Sequence, residues 1–168
     1  MRKLLATTAI LALAGAAVSG YALWQHYAPL GAAFCNLGET FSCDIVNQSA
    51  FSEVLGIPVA LIGILGYVGI GALALVAYTR ISPPPAGGGS ERGWGTQRAI
   101  LRTLLIASLT GFVFSAYLTY IELFVIGAVC ILCVTSQAII LAITALTGIV
   151  WHRPEQSLSD SSLPRTSE

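Results

Sequence analysis

Four long stretches of the chain carry no charge: Leu4 to Trp24, Ile57 to Thr79, Thr103 to Ile121, and Leu123 to His152 with His counted as neutral. Each meets or approaches the roughly 20 apolar residues that cross a hydrocarbon core of ~30 Å. Backbone amides in lipid must bond within their own segment, and no period-2 alternation points to strands, so these runs predict helices. The expected fold class is an all-α membrane protein, a four-transmembrane-helix bundle. Its domain covers residues 1–153, with helices near 4–26, 57–79, 99–122 and 125–151 and a linker at 80–98. Residues 154–168 are polar and are expected to be a disordered tail.

The segment from Gln25 to Gly56 is the one long polar stretch between apolar runs. Within it Phe51, Val54 and Leu55 share one helical face, and Asn47 or Ser49 is placed to cap that turn. The reading is a short amphipathic helix over one end of the bundle, with a plain hydrophobic loop anchor as the simpler alternative. Pro58 opens the second predicted helix, where its missing donor costs nothing. Gly63, Gly66, Gly69 and Gly71 follow; small residues let helices approach closely in membranes, or leave room for a flat ligand. Packing is the reading taken. The linker runs Ser82-Pro83-Pro84-Pro85-Ala86-Gly87-Gly88-Gly89-Ser90 and has no core-forming side chains.

Charge placement orients the bundle. Every basic residue falls on one predicted side: Arg2 and Lys3, then Arg80, Arg92, Arg98 and Arg102, then Arg153 and Arg165. The segment after the first helix carries Glu39, Asp44 and Glu53 instead, and the turn before the fourth carries Glu122. The positive-inside rule puts both termini and the linker in the cytoplasm and the polar segment outside. Arg2 and Lys3 before an apolar run also resemble a signal peptide. The run exceeds the usual core of roughly 7–15 residues, so an uncleaved helix is expected. A composition that is 55% hydrophobic and 10% charged excludes a soluble domain, and the zero net charge hides the asymmetry.

Four cysteines give this membrane chain its chemistry. Cys35 and Cys43 lie in the outward segment, where a disulfide would close a small ring that exchanges readily if strained or accessible. Cys130 and Cys133 form a Cys-x-x-Cys, on one helical face and close enough to bridge. With the fourth helix starting near Phe124 or Val125, Cys130 is expected one to two turns in, on the order of 5–10 Å deep. The positive end of the helix there favours a thiolate. The inferred route runs from an external thiol protein to Cys35–Cys43, then to Cys130–Cys133, then to an acceptor.

The chain has no dinucleotide fingerprint. Val134, not His, follows Cys133, so the haem-attachment pattern is absent, and His26 and His152 are predicted on opposite membrane sides, which disfavours zinc. A lipid-soluble quinone fits best, in a pocket near Cys133. Its protons are expected from solvent at the outer rim, with Glu122 the nearest side-chain candidate. The competing reading is a non-enzymatic membrane protein with structural or metal-binding cysteines.

These residues resemble the vitamin K epoxide reductase family in its bacterial form, over about residues 5 to 150. The likeness rests on Cys35-x7-Cys43, Ser49 six residues later, the Gly56-Ile57-Pro58 entry to the second helix, and Cys130-Ile131-Leu132-Cys133. It implies that Cys35 forms a mixed disulfide with the reduced partner, freeing Cys43 to attack Cys130. Cys133 is then left to face the quinone and form a transient adduct, with Ser49 helping to position the quinone side of the site. The implied acceptor is menaquinone or ubiquinone, and the implied partner a DsbA-like thioredoxin-fold protein. Some bacterial relatives carry a fused thioredoxin-like domain; none is seen here, so a separate chain is expected.

Animal members have a Tyr where this chain has Gln137, and an Asn near the start of the second helix where this chain offers only Asn36 and Asn47. What carries over is quinone reduction, and epoxide reduction is left open. A DsbB-type bundle does the same work on an unrelated fold, but its Cys-x-x-Cys precedes the loop pair, the reverse of the order here.

Overall fold

The computed structural model of the protein describes residues 1–31, 33–36, 41–80 and 92–160, and at 92–95 and 153–160 the backbone alone. Four helices are long and apolar enough to cross a membrane: Arg2–Tyr27, Val59–Arg80, Thr96–Ile126 and Ile131–His152. The protein is an all-α, multi-pass membrane bundle. The linker from Ser82 to Ser90 lies outside the described residues, as do Gly38, Glu39 and the tail beyond residue 160.

Helix α1 (Arg2–Tyr27) buries Leu5, Thr8, Ala12, Gly15 and Ser19, a stripe at three- and four-residue spacing. Helix α3 (Val59–Arg80) answers with Tyr67, Ile70, Ala74 and Ala77. Small residues on both faces bring the two backbones together, which is how helices associate when lipid supplies no hydrophobic drive. At Gly15 the fit is tightest: a Cβ there would fall 2.6 Å from Cδ1 and Cζ of the Tyr67 ring. Tyr67 can lie there because its hydroxyl finds partners on α5 (Ile131–Asp160), donating to the Ser136 carbonyl at 2.8 Å.

Helix α4 (Arg92–Ile121) packs on α5, where Ser108 Oγ and Thr147 Oγ1 lie 3.1 Å apart and fully buried. At the far end from the cysteines, Arg2 donates to the Tyr78 hydroxyl at 3.1 Å and stacks over its ring, tying the start of α1 to the end of α3. The expected glycine face of α3 divides in two. Gly63 and Gly71 pack against Ser19 and Ala12 of α1, whereas Gly66 and Gly69 face open space.

The connection between α1 and α3 differs from the expected amphipathic helix. A short helix α2 (Cys43–Asn47) lies upstream of it, capped by Ser42, whose Oγ accepts from the Ile45 amide at 3.4 Å. A 3₁₀ turn at Ala50–Ser52 follows, and then a two-stranded hairpin, β1 (Glu53–Val54) and β2 (Ile57–Pro58). Val54 and Leu55 therefore lie in a hairpin, not on a helical face. Leu55 and Gly56 form its tip with φ of 55° and 78°, both left-handed, which suits a tight turn and is easy for glycine alone. Pro58 ends β2 and α3 begins one residue later.

Gly15→Val should crowd the Tyr67 ring and destabilise the bundle by about 1–3 kcal/mol, as overpacking does. Gly20 has nothing within 4 Å of a Cβ, so Gly20→Val should be near neutral. Equal thermal stability of the two variants in detergent would contradict this packing.

Candidate functional site

Cys35 and Cys43 are joined by a disulfide, with Cα atoms 5.8 Å apart, and both are buried. Cys43 is the first residue of α2, and the loop before it is held by a buried carboxylate. Asp44 Oδ2 accepts from the Gly31 amide at 2.6 Å and from Asn36 Nδ2 at 2.7 Å. Asn36 Oδ1 in turn accepts from the Asp44 amide at 3.4 Å and from Ser42 Oγ at 3.3 Å. Asp44 sits in the first turn of α2, where negative charge complements the helix dipole. In the sequence Asp44 counts only as a charge on one side of the membrane; its anchoring role needs the loop to be folded back.

The second pair lies across a break in the fourth apolar run. Instead of starting a new helix near residue 125, the chain after α4 widens into a π-turn, Glu122–Ile126. Gly127 closes it at φ 72°, donating its amide to the Glu122 carbonyl at 2.9 Å. Val129 then pairs with Phe41 in a parallel bridge, and α5 starts at Ile131. Cys130 is therefore at the tip of the helix, not one to two turns inside it. Gly127, in a conformation that favours glycine, ends the apolar run that otherwise reads as continuous helix.

At that tip the Cys130 carbonyl accepts from the Val134 amide at 3.1 Å, the first helical bond. Its sulfur accepts from the Cys133 thiol and from the backbone amides of Cys133 and Leu132. These donors, the Cys133 thiol first, hold the Cys130 thiol below its ordinary range against the opposing effect of burial. Cys130 and Cys133 are both free thiols here. All four cysteines belong to one apolar cluster, in which Cys35, Cys43 and Cys130 are buried with Ala33, Val46, Ala128 and Leu132, and Cys133 packs at its edge.

Cys133 also borders a cavity of about 670 Å³ within the bundle. Its walls come from α1, α3, α4 and α5 and are mostly apolar, with Gly66 and Gly69 forming part of the α3 wall. Ser49 lines the same cavity, its hydroxyl donating to the Val46 carbonyl at 2.8 Å. Asn47 lines it too, with its side-chain amide committed to Gln25 Oε1 at 3.3 Å. Asn47 was not expected near a ligand, because its place in the chain is a loop well before α3. His26 lines it as well, its ring nitrogens 2.6 Å from the Asn47 carbonyl and 3.1 Å from Glu53 Oε1. Gln137, on α5, is not among the lining residues, and its Oε1 is buried with no partner among the described residues.

Glu122 departs most from the sequence reading. Expected in a turn at the rim, it is 3% exposed and faces the cavity. One carboxylate oxygen accepts from the Cys130 amide at 3.3 Å, and the side chain is also within hydrogen-bonding reach of the Cys133 thiol.

The arrangement is one of sulfur exchange at the edge of an apolar chamber. The sequence matches the profile of the vitamin K epoxide reductase family over residues 6–148, a stretch that holds all four cysteines. That family comprises oxidoreductases whose thiol chemistry uses a quinone. With most of its length matched and its two cysteine pairs gathered beside one cavity, the chain belongs to the vitamin K epoxide reductase family.

Proposed function

We propose that this protein is a thiol:quinone oxidoreductase of a bacterial cell membrane, with both termini cytoplasmic and the cysteine end outward. It re-oxidises a separate DsbA-like thioredoxin-fold protein and passes the electrons to menaquinone or ubiquinone, supporting disulfide-bond formation. One observation carries the reading: Cys133 touches both the buried cysteine cluster and the apolar cavity. It is thus the sulfur with access to both kinds of reactant.

The chemistry proceeds by exchange. A partner thiolate attacks Cys35, which breaks the Cys35–Cys43 bond and frees Cys43 as a thiolate. A second partner thiol then resolves the mixed disulfide, leaving the partner oxidised and this pair reduced. Cys43 attacks the oxidised inner pair at Cys130, and Cys133 leaves as a thiolate. Cys35 completes the exchange by attacking Cys43, so that the outer pair is again a disulfide and the inner pair a dithiol. That is the distribution seen here, with Cys35–Cys43 bonded and Cys130 and Cys133 free. The inner pair then gives two electrons to the quinone and becomes a disulfide. The low thiol range of Cys130 fits it as the inner sulfur that departs and attacks, since exchange runs through thiolates. Ser49 and Asn47 lie on the cavity wall, where they can help to orient a quinone ring.

A structural or metal-binding role for the cysteines would leave Cys133 without purpose at a cavity wall. It predicts a permanent Cys35–Cys43 bond and indifference to Cys133→Ala.

The test is quinone-dependent oxidation of a reduced DsbA-like protein by the purified chain. Native turnover is expected, with none above background from Cys133→Ala; absence of turnover in both, with unreactive thiols, would overturn the reading. Cys133→Ala should also accumulate a Cys43–Cys130 disulfide, visible by mass spectrometry of unreduced peptides. Cys35→Ala should form no mixed disulfide with the partner on a non-reducing gel, and normal trapping would make Cys43 the entry thiol.

A further inference from the structure

Glu122 is a buried carboxylate. Among the described residues the ion pair is His26 with Glu53, and no basic side chain pairs with Glu122. Taking a carboxylate out of water is costly unless a charge or several donors compensate it. If the only task at this position were to satisfy the Cys130 amide, an uncharged side-chain amide would do so without that cost. The carboxylate instead stands where three features meet: the Cys130 backbone, the Cys133 thiol and the cavity wall.

The π-turn sets this placement. Its wider winding and the Gly127 closure turn residue 122 toward the tip of α5 rather than toward solvent, and such turns recur at functional sites. The other titratable side chains on the cavity wall are His26, bonded to the Asn47 carbonyl, and Tyr67, whose hydroxyl is bonded to Ser136 on α5. Among the lining residues, Glu122 is the one carboxylate beside Cys133.

We propose that Glu122 is a catalytic residue, the base that takes the proton of Cys133 and the acid that delivers it to the quinone. The proposal rests on the thiol:quinone reading above. Cys130 reacts as a thiolate, its proton already released to the aqueous rim. Cys133 loses its proton to Glu122, the two sulfurs join in a disulfide, and the electron pair set free passes to the quinone. Glu122 returns its proton to one quinone oxygen. The other oxygen takes one from the rim, matching the proton Cys130 gave up. The products are a disulfide, a hydroquinone and an unchanged carboxylate.

The experiment is single-turnover reduction of a soluble short-chain quinone by pre-reduced protein, comparing native, Glu122→Gln and Glu122→Asp forms. Exchange of the Cys35–Cys43 disulfide with a reduced thioredoxin-fold protein is measured on separate, oxidised samples of the same three forms. Glu122→Gln keeps the acceptor for the Cys130 amide and should slow quinone reduction by about 100-fold or more, the usual scale of general acid–base catalysis. Its exchange at Cys35–Cys43 should remain measurable, because that step does not draw on the Cys133 proton. Glu122→Asp should retain more quinone reduction than Glu122→Gln, and added formate should restore part of the rate of the Gln form. Native-like quinone reduction by Glu122→Gln would overturn the proposal and leave the thiol:quinone reading intact. Joint loss of reduction and exchange, without formate rescue, would also overturn it, by making Glu122 structural. Failure of the native protein itself to reduce quinone would bring down the underlying reading, and is seen without reference to any variant.

Discussion

Interrupting a helix inside an apolar bundle frees backbone donors and acceptors that lipid cannot satisfy. The way this protein satisfies them at the α4–α5 break arranges everything around it. The Gly127 amide returns to the Glu122 carbonyl, and the Cys130 amide goes to the Glu122 carboxylate. Val129 finds the backbone of Phe41, two residues before Cys43. Each bond is local accounting, yet together they draw the two cysteine pairs into one buried cluster and leave Cys130 at a helix tip.

The two pairs are held by different means. Around Cys35–Cys43 the chain is polar and depends on Asp44 and Asn36 for its shape, so it is anchored by hydrogen bonds near the bundle end. Around Cys130 and Cys133 the anchor is a transmembrane helix, whose register fixes the sulfurs to within a turn. A loop-borne pair thus faces a helix-borne one. Under the proposed function, the first engages a protein and the second presents sulfur to a small molecule.

Much of this was legible in the sequence. Four spans follow from uncharged length, because nothing in lipid competes with helix for the backbone. The pairing of cysteines and their shared end follow from their spacing and from the placement of the basic residues. What stayed hidden shares one physical cause, the competition of short-range signals. Phe51, Val54 and Leu55 fit a helical face, but Leu55-Gly56 takes the left-handed turn of a hairpin. Residues 123–126 look like the opening of a helix, but they finish the previous one as a π-turn. Glu122 looks like a rim charge because its partners lie eight residues on, across a break that no local periodicity signals. The glycines of α3 have the spacing of packing residues, and half of them pack.

The cavity wall on α3 runs from Val59 to Leu73, which is roughly 20 Å of helix at 1.5 Å per residue. On α5 the wall starts at Leu132, beside the reactive sulfur, and goes on to Ile140. Much of the chamber therefore lies past Cys133, away from the chemistry and lined mainly by aliphatic groups and glycine, together with Tyr67 and Phe114. Under the proposed function, the greater part of the ligand held there is its hydrocarbon tail. Such a chamber grips by solvation and chain length more than by the substituents of a ring, so the supply of substrate is governed by what the surrounding lipid dissolves. Selectivity among quinones then becomes largely a property of the membrane, and the same protein placed in a bilayer with a different quinone pool would inherit a different substrate.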